Sequence, residues 1–190
     1  IMELTGTLFT YHEALTAFES GPVNYKKAVI YIGGITELFN AVSYLAPLQE
    51  RLYKLGWTLV QVQLSSSGNG YGTSSLRQDS KELDYLVKYL KTKRNKEKIV
   101  FLGHSTGKKK GEENSYWHNK YGEMSVNGYI LQAPISDRLV MMSSDPTRYT
   151  KLLQDAKQMI KEGRSEELMP RQPYLAPITA YRFASLVDYR

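Results

Sequence analysis

The chain runs Ile99-Val100-Phe101-Leu102-Gly103-His104-Ser105-Thr106-Gly107, four bulky apolar residues leading straight into a Gly-x-Ser-x-Gly pentapeptide. An uninterrupted apolar run of this length reads as a strand buried on both faces. A serine held on a sharp turn at the carboxyl end of such a strand takes up strained backbone angles. The residues two positions to either side then crowd the adjoining strand and helix and must be small. Glycine at 103 and 107 meets that demand, which makes Ser105 the candidate nucleophile.

Outward from this stretch, strand and helix patterns alternate. Upstream, Ala28-Val29-Ile30-Tyr31-Ile32 is a second apolar run, ending in Gly33-Gly34, and Trp57-Thr58-Leu59-Val60-Gln61-Val62 is a third. Between them, Val42, Leu45, Leu48, Leu52 and Leu55 recur at helical spacing over Leu38 to Leu55, with Pro47 as a kink or the true start and Gly56 as the stop. A helix is expected from Leu76 to Lys91, capped by Ser74 or Ser75, and a further strand from Val126 to Leu131. Asp145-Pro146 opens a helix that ends at Gly163, and Ile178 to Val187 is a last short apolar segment. The first twenty residues read as a hairpin or edge strands. Parallel strands need crossovers, so the alternation predicts an α/β protein: three layers, helices on both faces of a mostly parallel sheet.

Composition narrows the classes. The 190 residues fit one domain, here 1–190, and 42% hydrophobic with 23% charged residues is globular. No apolar run is long enough for a membrane span, and no basic-then-apolar leader opens the sequence, so a soluble, cytoplasmic protein is expected. With no cysteine and only His12, His104 and His118, neither a disulfide framework nor a metal centre is expected. The net charge of +6 is that of an ordinary solvated surface, and nucleic acid is not an expected partner.

A serine hydroxyl needs a base and donors for an oxyanion. The donors nominated are the backbone N–H of Thr106, after the serine, and of Gly34, in the loop after the first central strand, with Ile35 next to it; Gly33-Gly34 also reads as a flexible strand end. The base is the difficulty. Successive residues of an extended segment point to opposite sides, so His104 faces into the fold when Ser105 faces the cleft. His118 lies in a polar stretch without helical periodicity, and His12 in the first hairpin. Asp137, after the fourth strand, is the candidate acid, although its preferred reading is a turn or cap residue beside Arg138. The Ser65–Gly72 stretch could line a pocket or simply form a long turn; it lacks the Gly-Lys-Ser/Thr ending of a phosphate loop.

Several short motifs together, Leu8-Phe9-Thr10-Tyr11-His12, Ile32-Gly33-Gly34, Gly56-Trp57, Gly70-Tyr71-Gly72-Thr73-Ser74-Ser75-Leu76, Gly103-His104-Ser105-Thr106-Gly107, Leu131-Gln132-Ala133-Pro134-Ile135-Ser136-Asp137-Arg138 and Pro177-Ile178-Thr179-Ala180-Tyr181-Arg182, resemble a fungal and protist family of α/β-hydrolase-fold proteins. Most of that family has no assigned function, and it includes esterases that open ester bonds in hydroxamate siderophores. The resemblance implies a partial α/β-hydrolase fold, Ser105 as nucleophile, a small-molecule ester substrate and no cofactor. Family members follow the elbow with an apolar-periodic helix, where this chain has Lys108-Lys109-Lys110-Gly111, and they continue past its last residue with strands carrying the acid and the histidine. The chain is thus expected to be the N-terminal part of a serine hydrolase, weak or inactive alone. The rival is a non-catalytic remnant or binding module.

Overall fold

The computed structural model describes residues 3–105, 125–133, 137–170 and 177–188. Six strands, β1 (Gly6–His12), β2 (Leu15–Ser20), β3 (Lys27–Ile32), β4 (Trp57–Val62), β5 (Lys98–His104) and β6 (Gly128–Gln132), form one sheet in the order β1-β2-β4-β3-β5-β6. The first two strands make an antiparallel hairpin whose second strand runs antiparallel to β4. From β4 through β3 and β5 to β6, all pairing is parallel. The expected α/β sandwich with a mostly parallel sheet is the fold observed.

Alternation along β3 explains why the sheet is covered on both sides. Ala28, Ile30 and Ile32 pack on one face with Leu83, Leu86, Val87 and Leu90 of α2 (Leu76–Lys93), whereas Val29 and Tyr31 pack on the other with Leu45, Leu48 and Leu52 of α1 (Leu45–Lys54). One strand therefore contributes to two cores, and its apolar run is unbroken for that reason. Ser75 caps α2 as expected, its side chain accepting from the Gln78 N–H.

The first helix is shorter than its periodicity suggested, beginning at Leu45 rather than Leu38. Asn40 has φ +58°, which no helix permits, and its backbone N–H donates to Gln61 Oε1 at 2.7 Å while Gln61 Nε2 donates back to Asn40 Oδ1 at 3.0 Å. Pro47 then sits in the first helical turn, where its missing N–H is not required. Gly56, at φ +73°, ends the segment as expected.

Three further helices, α3 (Asp137–Ser144), α4 (Pro146–Lys161) and α5 (Ala180–Val187), follow β6. Asp145 accepts from the Arg148 N–H at 2.8 Å, the cap read from Asp145-Pro146. Helices α4 and α5 bury Tyr149, Leu152, Ala156, Met159, Phe183 and Leu186 in a core of their own, which Tyr71 joins. Arg182 of α5 is buried, its Nε donating to the Tyr71 carbonyl at 2.8 Å and its guanidinium lying 3.4 Å from Asp79 Oδ2. Fully buried Glu19, in β2, and Lys96, just before β5, pair at 2.5 Å, and the lysine also donates to the Tyr25 carbonyl at 2.6 Å. Among the described residues no helix is long and apolar enough to cross a membrane.

Candidate active site

The parallel register brings the carboxyl ends of β3, β5 and β6 together, with Ile32 opposite Gly103 and His104 opposite Gln132. Open α/β sheets place their ligands at this edge. Backbone strain concentrates there too: Thr36, Ser105 and Ala133 adopt φ of +61°, +52° and +45°. Left-handed angles at residues with a side chain are uncommon and persist only where the surroundings hold them. At Ser105 the hold comes from β6, whose Gln132 carbonyl accepts the serine N–H at 3.1 Å; the Tyr44 hydroxyl in turn donates to Gln132 Oε1 at 3.2 Å.

Gly34 lies directly against the serine. A Cβ at position 34 would stand 3.1 Å from Ser105 Cβ and 3.4 Å from the His104 carbonyl, so the loop after β3 approaches Ser105 as closely as it does because residue 34 has no side chain. The structure thus brings two of the nominated residues, Gly34 and Ser105, into one place. Thr106 and His118 lie outside the described residues. Asp137 opens α3 just beyond the carboxyl end of β6.

Glu37, which no motif singled out, is the hub of this edge. Its Oε2 accepts the Gly34 N–H at 2.8 Å and the Tyr31 hydroxyl at 2.7 Å, and its Oε1 lies 2.6 Å from His104 Nδ1. A carboxylate offers only acceptors, so Nδ1 is the protonated ring nitrogen. The imidazole stacks on Tyr31 at 6.4 Å and meets Tyr44 edge-on at 6.3 Å. His104 therefore faces the α1 side of the sheet, as alternation past Ser105 implies. Burial, then the hydrogen bond to Glu37, pushes the Tyr31 phenol well above its ordinary value, and burial likewise raises Tyr44. Both hydroxyls remain donors at any physiological pH. A signal for Glu37 was present: it is an ionisable residue three positions after Gly34, in the loop leaving the carboxyl end of a central strand.

The other candidates fall elsewhere. His12 stacks on Tyr85 with ring centroids 3.7 Å apart, and lies four strand positions from β5, about 19 Å at the usual strand spacing. The Ser65–Gly72 stretch is explained by its own packing. Ser65 donates its N–H and hydroxyl to Glu82 at 2.8 and 2.7 Å, and a Cβ on Gly70 would lie 2.1 Å from the Ser65 carbonyl.

Some of the similar proteins carry hydrolytic names and some do not. A UPF0613 protein of Schizosaccharomyces pombe is 30% identical over 208 residues, covering 97% of this chain and 64% of that protein. The fusarinine C esterase sidJ of Aspergillus fumigatus is 32% identical over 158 residues, 71% of this chain and 45% of the esterase. Among solved structures, the siderophore hydrolase EstB of Aspergillus fumigatus matches with a TM-score of 0.76 at 27% identity, over 99% of this chain and 65% of its own length. The chain spans less than two thirds of each of these relatives. Its fold is that of the α/β-hydrolase superfamily, and, matched over residues 1–190 by the family described as "Protein of unknown function (DUF1749)", the chain belongs to that family.

Proposed function

We propose that the chain carries the nucleophile and the oxyanion loop of a serine carboxylic-ester hydrolase. The observation that carries this reading is the left-handed φ of +52° at Ser105, in a Gly-x-Ser-x-Gly turn at the carboxyl end of a buried parallel strand. In the reaction Ser105 Oγ attacks the ester carbonyl, the carbonyl oxygen takes the negative charge, the alcohol leaves, and water releases the acid from the acyl-serine. Thr106 supplies one main-chain donor. The Gly34 N–H is engaged by Glu37, so in that loop the Ile35 N–H takes the second donor role, and Gly34 supplies the space for close approach. Asp137 is the candidate acid. The names of the relatives make fusarinine C the first ester to assay.

One observation favours a second reading, a non-catalytic binding module. Of the histidines among the described residues, His104 is held by Glu37 and His12 lies four strand positions away, so neither is a ready base for Ser105. Without a base, oxyanion stabilisation alone leaves an acceleration on the order of a thousandfold over water. The discriminating experiment treats the purified chain and Ser105→Ala with a fluorophosphonate probe. Labelling confined to the serine form supports the nucleophile. No labelling of either form, or equal labelling of both, refutes it.

A further inference from the structure

We infer that Glu37 is a positioning residue: its carboxylate clamps the loop after β3 to the turn that bears Ser105 and so sets where the main-chain donors stand beside the serine hydroxyl. The inference rests on the proposed role of Ser105. Three groups from three places converge on this one side chain: the Tyr31 hydroxyl of β3 at 2.7 Å, the Gly34 N–H of the loop at 2.8 Å, and His104 Nδ1 at the end of β5 at 2.6 Å. The loop also closes on itself, the Glu37 N–H donating to the Gly34 carbonyl at 3.4 Å. Both the carboxylate and the imidazole are largely shielded from water, with 18% and 19% of their side chains exposed. Charge-assisted hydrogen bonds in such a setting are about twice as strong as neutral ones. Two of the clamped groups directly flank the reaction centre. Gly34 touches Ser105, and His104 precedes it in the chain, so releasing the carboxylate frees the loop on one side of the serine and the turn on the other.

Glu37→Ala removes every acceptor. Glu37→Gln keeps one oxygen for Tyr31 and Gly34 and presents an amide N–H₂ to His104, whose Nδ1 can accept it in the other tautomer; geometry survives and charge does not. Hydrogen–deuterium exchange and fluorophosphonate labelling, on the wild-type chain and both variants well below their melting temperatures, separate the possibilities. In Glu37→Ala, exchange is expected to rise at residues 33–37 and 103–105 and not along β3. The inactivation rate constant is expected to fall about a hundredfold, the scale of a reacting group displaced by an ångström, with probe affinity little changed. Glu37→Gln is expected to recover most of that rate. Unchanged exchange in Glu37→Ala overturns the clamp, whether or not the probe reacts. Changed exchange with an unchanged labelling rate overturns its role at the serine, as does a loss of rate that Glu37→Gln fails to recover. A wild-type chain that does not label, yet shows the local exchange change in Glu37→Ala, refutes the nucleophile role and, with it, Glu37's role at the serine, while leaving the clamp itself standing.

Discussion

Replacing Ser105 by glycine and, separately, by alanine isolates the energy stored in its backbone. Both substitutions remove the hydroxyl, so they share the loss of side-chain contacts and differ in how they tolerate φ +52°. A residue with a Cβ in that region is disfavoured by about 1–2 kcal/mol, and glycine is not. Glycine gives back about 0.5–1 kcal/mol through the greater freedom of its unfolded chain. The difference leaves Ser105→Gly more stable than Ser105→Ala by about 0.5–1 kcal/mol. At 2–4 °C per kcal/mol for a chain of this size, that is a melting temperature roughly 1–4 °C higher. Urea denaturation of the two variants in parallel, with equal slopes, measures the quantity directly. If Ser105 is the nucleophile, neither variant is expected to react with a fluorophosphonate. A glycine variant no more stable than the alanine variant would falsify the claim that the turn is strained, and with it the reason for reading Ser105 as more than a strand terminus.

Buried Glu19 faces both Lys96 and Arg94, the latter at 3.6 Å, so Glu19→Met, which strands the buried lysine, is expected to cost about 3–5 kcal/mol, and Lys96→Met less, because Arg94 still faces the carboxylate; a double-mutant cycle in urea that came out additive would refute the Glu19–Lys96 pairing. At Gly72 a Cβ would lie 1.8 Å from the Pro177 carbonyl, so Gly72→Ala is expected to destabilise by about 1–3 kcal/mol and to expose α5 to limited proteolysis; a wild-type cleavage pattern would contradict it. Tyr11 and Tyr31 are both raised above the ordinary value of 10.0, chiefly by burial, with Glu82 adding at Tyr11 and Glu37 at Tyr31. The folded chain therefore keeps protons that the unfolded chain releases, so stability is intact below pH 10 and falls as pH climbs above it. Tyr31→Phe and Tyr11→Phe should each flatten that alkaline decline, and an unaltered pH profile would count against the assignment.

Strands buried on both faces were plain in the sequence because β3 and β5 leave no polar position in their centres, and α2 and α4 because a cap residue announces each one. The start of α1 was not, since Leu38 and Val42 keep helical spacing while the Asn40–Gln61 exchange of hydrogen bonds bends the chain away from a helix. Such a long-range side-chain contact leaves no local periodic trace. Helix α3 was missed because its exposed apolar residues Leu139 and Val140 are adjacent and form no stripe. At the site, Ser105 and Gly34 carried pattern, whereas Glu37 acquires its meaning only when the parallel register sets His104 of β5 beside the end of β3. A carboxylate in a loop is common, and three donors around it are a property of the fold.

Arg182 joins partners that are far apart along the chain, Tyr71 by 111 residues and Asp79 by 103. At ribosomal speeds of about 5–20 residues per second, Tyr71 in the turn at Gly68–Gly72 and Asp79 at the start of α2 are synthesised roughly 5–22 s before the arginine that fastens them to α5. During that interval Asp79 has no guanidinium to face, and the β1–β5 sheet can assemble with its α4–α5 neighbour still to come. Translation thus orders these elements from the sheet outward, and the fastening of the Gly68–Gly72 turn to α5 waits until residue 182 has emerged.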